Sequence, residues 1–316
     1  MTIETGTPNE KPEAQKPETK PKKAVKPRKT CGYVALLGES NVGKSTLLNR
    51  LVKQKLAIVS SKLHSTRRKL LGIVLHENAQ IIFIDTPGLV EPNSKLQKSM
   101  LHAAYDAGNE ADVIALMVDA TKPHRAVKAI DKLLSNLQNK RKNKILIINK
   151  IDLVPKEILL DMAANLNAEH EFSATLMISA TKDSGLKTLL NTLAKALPFS
   201  AWHYPEDHVT DTPMKVLASE ITREKLYTFL NQELPYACTV HTESFDDTNP
   251  KKWLIEQVIT VEKTSQRAII LGHQGQSIKK IGQTARITMG KVFETTVDLR
   301  LFVKVDPKWQ DNAELH

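Results

Sequence analysis

The densest chemical signal in the chain is Gly38-Glu39-Ser40-Asn41-Val42-Gly43-Lys44-Ser45, followed directly by Thr46. These residues fit the spacing G-x-x-x-x-G-K-[ST], in which two glycines let a loop wrap closely around an anion. Backbone N–H groups and the start of a following helix then point at phosphate oxygens. Lys44 is spaced to reach the outer phosphates of a nucleotide, and the Ser45 hydroxyl to ligate Mg²⁺.

Further groups follow in the order a nucleotide-hydrolysing site requires. Thr66, in the basic stretch Lys62-Leu63-His64-Ser65-Thr66-Arg67-Arg68, can close over Mg²⁺ and a γ-phosphate. In Asp85-Thr86-Pro87-Gly88, the carboxylate can hold Mg²⁺ through water. Gly88 can offer its N–H to a terminal phosphate and hinge when that phosphate leaves. In Asn149-Lys150-Ile151-Asp152, Asp152 can accept from both the N1–H and the amino group of guanine, which adenine lacks. Leaving such an acceptor unpaired costs about 1–3 kcal/mol, which is enough to select the base. Asn149 can bond the other base edge and the Lys150 stem can cover the base face, while a backbone N–H in Ser179-Ala180-Thr181 can meet guanine O6. The expected groups nearest the reacting phosphate are Lys44, Thr66 and Gly88; those on the metal are Ser45, Thr66 and Asp85.

Each of these groups must be held by an element. Val34–Leu37, Gln80–Ile84, Val113–Val118, Lys144–Ile148 and Leu176–Ile178 are apolar runs that read as buried strands. Leu47–Val52, Leu96–Asn109, Val127–Gln138, Lys156–Ala168 and Leu186–Leu197 read as helices between or after them. This alternation predicts an α/β domain over residues 31–200: a mostly parallel sheet with helices on both faces. Ligands then sit at the carboxyl ends of the strands, where Gly38–Ser45, Asp85–Gly88, Asn149–Asp152 and Ser179–Thr181 fall.

Composition sets the outer bounds. At 316 residues and 41% hydrophobic, the chain is long enough for about two domains with separate cores. Cys31 and Cys238 lie far apart and suit a reducing compartment. No apolar run approaches the roughly 20 residues of a membrane-spanning helix, and the N-terminus has no signal core, so a cytoplasmic protein is expected. The net charge of +10 suggests a polyanionic partner. It is unevenly spread: +4 over residues 1–30, +8 over 31–199 and −2 over 200–316. Residues 1–30 hold five prolines and few large apolar side chains, and read as a disordered basic tail.

Proline-bounded residues 201–213 read as a linker. Beyond it, residues 214–309 read as helix (Met214–Asn231), two strands (Ala237–Phe245 and Leu254–Val261), helix (Ala268–Leu271), helix (Gln276–Met289) and a last strand (Val292–Val305). Gly272-His273-Gln274-Gly275 separates the last two helices. This α-β-β-α-α-β order with G-x-x-G resembles an α+β type II KH domain, whose loop clamps single-stranded nucleotides. Residues 263–293 carry Lys263, Arg267, Lys279, Lys280, Arg286 and Lys291 with no acidic residue, so this domain is basic where it would meet RNA. Lys279, Lys280 and Arg286 are the expected RNA contacts beside the loop; Ile278, Ile281 and Ile287 are expected in the core.

The first domain resembles the translation-factor-like branch of P-loop GTPases, and the pair of domains resembles the Era family of ribosome-assembly GTPases. Specific support comes from Tyr204-Pro205-Glu206-Asp207, Ser219-Glu220-Ile221, Arg223-Glu224-Lys225-Leu226 and Glu233-Leu234-Pro235-Tyr236. The likeness covers about 31–309. The family's Gln-Thr-Thr-Arg appears here as His64-Ser65-Thr66-Arg67, its His-Lys as Val90-Glu91, and an Arg-Phe as Lys215-Val216. The resemblance implies GTP/GDP and Mg²⁺ as ligands. It implies the 3′ end of 16S rRNA and the 30S subunit as partners, with GTP favouring the RNA-holding arrangement. Some members sit peripherally at the inner membrane, which makes that a second expected location. Leu89 stands where small GTPases carry a catalytic glutamine, and Asn41 matches an asparagine that helps some relatives bind K⁺. Slow, K⁺-stimulated hydrolysis is the resulting hypothesis. The alternative is an RNA clamp whose nucleotide site is structural or barely turns over. A tRNA-modification or iron-transport GTPase would fit the first domain but requires other partner domains.

Overall fold

The apolar runs fold at the places their burial demands. The structure, a computed structural model, describes residues 28–60, 62, 66–67, 69–89, 95–137, 142–230 and 234–311. The expected tail therefore lies outside the described residues except for its end, as do His64, Ser65, Val90 and Glu91.

Six strands form the first sheet: β1 (Thr30–Gly38), β2 (Leu70–His76), β3 (Ala79–Asp85), β4 (Val113–Asp119), β5 (Asn143–Asn149) and β6 (Ala174–Ile178), in the order β2-β3-β1-β4-β5-β6. All pairings are parallel except that of β2 with β3. Strands β3 and β4 are buried along their whole length, as a sheet covered on both faces requires. On one face, α1 (Lys44–Val52) and α5 (Leu186–Ala196) supply Leu47, Leu48, Leu189 and Leu193 to the core. On the other, α2 (Lys95–Glu110), α3 (Pro123–Ser135) and α4 (Lys156–Glu169) supply Ala104, Ala107, Ile130, Leu133, Met162 and Leu166.

Strand β2 is absent from the sequence expectation. Gly72 interrupts its apolar run, and a glycine inside a strand weakens that signal. The reason for the glycine is packing: a Cβ there would lie 2.4 Å from Leu48 Cδ1, where α1 crosses the strand. The pairing matters for the site, because it sets Leu70 opposite Asp85 and so brings the segment before β2 to the metal-binding end of β3.

The second module contains α6 (Met214–Phe229), β7 (Cys238–Asp246), β8 (Lys252–Val261), α7 (Thr264–Leu271), α8 (Gln276–Val292) and β9 (Thr296–Val305). Its sheet runs β7-β8-β9, with β7 antiparallel to β8 and β8 parallel to β9. Expected boundaries move most around α7, α8 and β9. Helix α8 continues to Val292, capped by the Phe293 N–H on Met289 O at 2.8 Å, so the last strand starts at Thr296. Helix α7 starts at Thr264, where the Gln266 side chain accepts from the Lys263 N–H. Ile281 is fully buried and Ile278 half-buried, but Ile287 is 54% exposed, which corrects its expected place in the core.

Residues 201–213 are a strap rather than a spacer. Val209 O accepts from the Ile73 N–H at 2.9 Å, and Thr210 Oγ1 donates to Leu71 O at 2.6 Å. Gln80, buried on β3, accepts from the His203 and Tyr204 N–H groups and donates to Tyr204 O. Trp202 and Tyr204 pack on Cys31, Ile73 and Ile82. Among the described residues, no helix is long and apolar enough to cross a membrane.

Candidate nucleotide and nucleic-acid sites

Strand β1 ends at Gly38 and α1 begins at Lys44, with Gly43 at φ +103° between them. That dihedral suits glycine, and it turns the chain so that the helix N-terminus faces a cavity of about 300 Å³. Ser40, Asn41, Gly43, Lys44, Ser45 and Thr46 line it, with Thr66, Gly88 and Lys150 opposite. A second cavity of about 820 Å³ shares Thr46 and Val59 with the first and extends to Ala180 and Thr181. Lys44 is buried and donates to Gly38 O at 2.9 Å and Glu39 O at 3.0 Å. Burial pushes its ammonium down to about 8, against the pull of the Asp85 and Glu39 carboxylates.

The D-x-x-G segment lies directly against this loop. Leu89 N–H donates to Gly38 O at 3.1 Å, and Thr86 Oγ1 donates to Leu36 O at 2.7 Å. Pro87 is buried, and Gly88 packs against Ser40 so closely that a Cβ would meet Ser40 Cα at 2.6 Å. Val42 is in the core. Leu89, also buried among apolar side chains, has no group with which to orient water.

Three hard oxygens converge where β1 and β3 end. Ser45 Oγ lies 2.7 Å from Asp85 Oδ2 and 2.9 Å from Thr66 Oγ1, and Thr66 Oγ1 lies 3.3 Å from the same carboxylate oxygen. Asp85 is fully buried and its Oδ1 has no hydrogen-bond partner. Burial pushes the carboxyl up, an effect that Lys44 and the two hydroxyls only partly offset. A buried carboxylate with an orphaned oxygen beside two hydroxyls suits a small divalent cation that prefers oxygen ligands and keeps water, as Mg²⁺ does.

At the base end the structure adds a residue that sequence reasoning missed. Lys150, at φ +67°, sends Nζ to Asp119 Oδ2 at 2.5 Å. Burial works against ionising Asp119, but hydrogen bonds from Lys150 and Thr121 outweigh it and hold the carboxyl below its usual range. Asp119 closes β4 as Asp85 closes β3, so looking for polar residues at every strand end would have found it. Asn149 is buried and braces two loops: its Nδ2 donates to Val42 O at 2.8 Å and its Oδ1 accepts from the Ala180 N–H at 3.1 Å. Asp152 is exposed on the short turn Ile151–Leu153. Ser179 is buried, with Oγ 3.2 Å from Thr181 Oγ1, and also accepts from the Lys182 N–H.

The G-x-x-G loop lies in the second module. Gly272 has φ +71°, Gln274 φ +48° and Gly275 φ +75°. A Cβ at Gly272 would sit 2.7 Å from Ser277 Cβ, whereas at Gly275 nothing lies within 4 Å. The first glycine is therefore fixed by packing. The second leaves backbone open to an approaching strand of nucleic acid, at the N-terminus of α8. His273, Gln274, Lys279, Lys280 and Arg286 are all exposed, with Lys280 Nζ 4.9 Å from the centre of the Phe229 ring. Ile269 on α7 and Ile287 on α8 add exposed apolar surface, which a polar-only search of the sequence does not flag.

Comparison with known proteins agrees with both halves. A family described as 50S ribosome-binding GTPase matches residues 33–150, and a KH domain family matches 233–310. The chain is 44% identical to GTPase Era of Mesorhizobium japonicum over 92% of its own length and 93% of the relative's. It is 45% identical to GTPase Era of Agrobacterium fabrum over 90% and 89%. Among solved structures, a single-substitution variant of Aquifex aeolicus Era bound to GDP·AlF₄⁻ superposes with a TM-score of 0.85 at 37% identity, covering 90% of this chain and 97% of that one. Era with MgGDPNP and nucleotides 1506–1542 of 16S ribosomal RNA gives 0.85 at 38%, covering 91% and 97%.

Proposed function

This chain belongs to the Era family of GTPases, and we propose on that footing that it is a GTP-hydrolysing switch that holds 16S rRNA near its 3′ end through the KH module during assembly of the 30S subunit. The observation that carries the reading is the convergence of Ser45, Thr66 and Asp85 oxygens within 2.7–3.3 Å at the phosphate loop of a chain that continues into a G-x-x-G module. The first-domain family description names the 50S subunit; the RNA in the full-length relative is 16S, and the full-length likeness is the more specific guide. A tRNA-modification or iron-transport role has no use for a KH domain in this position. We take the GTPase domain as 31–200, the strap as 201–213 and the KH domain as 214–309, working in the cytoplasm with any inner-membrane contact peripheral.

The roles we assign rest on the motifs, with the geometry in support. The loop Gly38–Thr46 cradles the phosphates, and Lys44 leaves the Gly38 and Glu39 carbonyls to meet the outer ones. Ser45, Thr66 and Asp85 hold Mg²⁺, which supplies charge neutralisation on the phosphate oxygens. Water attacks the γ-phosphorus, the bond to the bridging β-oxygen breaks, and GDP and inorganic phosphate leave. Thr66 and the Gly88 N–H sense the phosphate that departs. Asp152 reads guanine, Lys150 covers its face under the hold of Asp119, and Asn149 keeps the loops of Val42 and Ala180 in register. Ser179–Thr181 supply backbone at the O6 edge. Gly272–Gly275 with Lys279, Lys280 and Arg286 grip RNA.

Buried Leu89 supports the second reading, an RNA clamp whose nucleotide site turns over very slowly. One assay separates the two: GTP hydrolysis with and without a 16S 3′-end oligonucleotide, in K⁺ and in Na⁺ buffer. RNA-responsive turnover that is faster in K⁺ supports the switch; a rate indifferent to RNA favours the clamp, and equal rates in the two salts remove the K⁺ hypothesis involving Asn41.

A further inference from the structure

Arg67 is one peptide unit from the metal-binding Thr66, yet its side chain belongs to the other module. The guanidinium is buried and donates to Cys238 O at 2.9 Å, Tyr236 O at 3.2 Å and Pro235 O at 3.4 Å, where the chain enters β7. It also lies 5.6 Å from the centre of the Trp309 ring. Trp309 follows β9 at the end of the KH module, is fully buried, and packs against Leu96 and Met100. Those two side chains are on α2, the helix that follows the Asp85–Gly88 segment. Arg67, beside Thr66, and α2, the first helix after the Asp85–Gly88 segment, thus meet at one KH-domain tryptophan. The segment leading to Thr66 is fixed on the same module at other points: Lys55 pairs with Glu224 at 2.5 Å, and Lys62 Nζ donates to Leu230 O.

We infer that Arg67 is a positioning residue for hydrolysis: its cage of KH-domain carbonyls holds Thr66 at the metal, so that RNA bound to the KH module changes the rate at which GTP is hydrolysed. Consecutive Cα atoms are about 3.8 Å apart, and the Arg67 side chain is buried and held at three carbonyls, so a shift of the cage is passed to the backbone beside Thr66. Thr66 has little slack of its own, since its hydroxyl must stay within reach of both Ser45 and Asp85. The same contacts carry an effect in the other direction: loss of the phosphate that Thr66 closes over frees Arg67 from its place beside Trp309. GDP lacks the terminal phosphate that Thr66 closes over, so its affinity is expected to depend little on this link.

The inference rests on the proposed function, and one experiment with the full chain tests both separately. Steady-state hydrolysis is measured with and without the 16S 3′-end oligonucleotide, and GDP affinity by titration, for wild type, Arg67→Ala and Arg67→Lys. Arg67→Ala is expected to lower kcat by about tenfold, to leave GDP affinity within about twofold, and to lose the response to RNA. Arg67→Lys, which keeps a cation for the carbonyls without the planar fork, is expected to recover part of that response. A variant that is merely less stable would lose GDP affinity alongside kcat, and that result overturns the inference. So does an Arg67→Ala protein that responds to RNA as wild type does. If Arg67→Ala does not fold, the Lys variant carries the test: an undiminished RNA response in it overturns the inference. A wild-type rate indifferent to RNA removes the proposed coupling itself, and this role with it.

Discussion

Two aspartates share the base end, and their substitutions should separate. Asp152 is exposed where a base can reach it, whereas Asp119 is buried under Lys150. Asp152→Asn places an amide donor against guanine donors and should cost about 1–3 kcal/mol of guanine preference, read as competition between GTP and other nucleoside triphosphates. Asp119→Asn should weaken guanine and adenine nucleotides alike by about tenfold and leave base preference unchanged, because it frees Lys150 rather than unpairing the base. Lys44→Ala should remove nucleotide binding beyond about a hundredfold; near-normal GTP affinity would rule out its place in the cradle. The phosphate loop, Asp85 and Asp152 are legible in the sequence because their chemistry sits in their spacing. Asp119 shows in the sequence only as a polar strand end; its pairing with Lys150, 31 positions away, is set by the register of β4 on β5. Asn149 is legible as a site residue, but its bond to Val42 O depends on how β5 sits beside the loop after β1.

At the level of elements, the glycines hold the tightest constraints. Gly88→Ala would drive a methyl to 2.6 Å from Ser40 Cα and 2.9 Å from Ser40 N, backbone that cannot step aside without moving the phosphate loop. The expected outcome is a loss of hydrolysis with GDP binding largely kept, measured by turnover and GDP titration. Gly275→Val meets no neighbour but puts a β-branched side chain at φ +75°, a strain of about 1–2 kcal/mol, and covers the open backbone. RNA affinity should fall while basal GTP turnover stays as it was. The parallel strands are visible as unbroken apolar runs. Strand β2 is hidden by Gly72, a residue whose reason is the crossing of α1. Sequence alone starts the last strand too early because Val292 and Phe293 look strand-like; the hydrogen bond from the Phe293 N–H to Met289 O keeps them with α8.

Across the whole molecule, the strap and the segment before Thr66 join the two modules, and no single stretch of sequence announces this. Glu224 on α6 is the charged centre of the join, accepting from Lys55 at 2.5 Å and Lys225 at 2.9 Å. Burial opposes its ionisation, but the two lysines outweigh that and hold its carboxyl below the usual value. A depressed carboxyl adds stability that is complete above its unfolded-state pKa and is lost as pH falls through the folded one. Glu224→Gln should therefore cost about 1–2 kcal/mol near neutrality, with the difference from wild type closing below about pH 4 in thermal melts. The wider claim is that the state of the phosphate site sets how firmly the KH module holds RNA. Its most direct test is the affinity of the full chain for the 16S 3′-end oligonucleotide with Mg²⁺ and GDPNP against Mg²⁺ and GDP. Binding about tenfold tighter with the triphosphate is the predicted result, a coupling of about 1.4 kcal/mol; equal affinities in the two states would contradict the account.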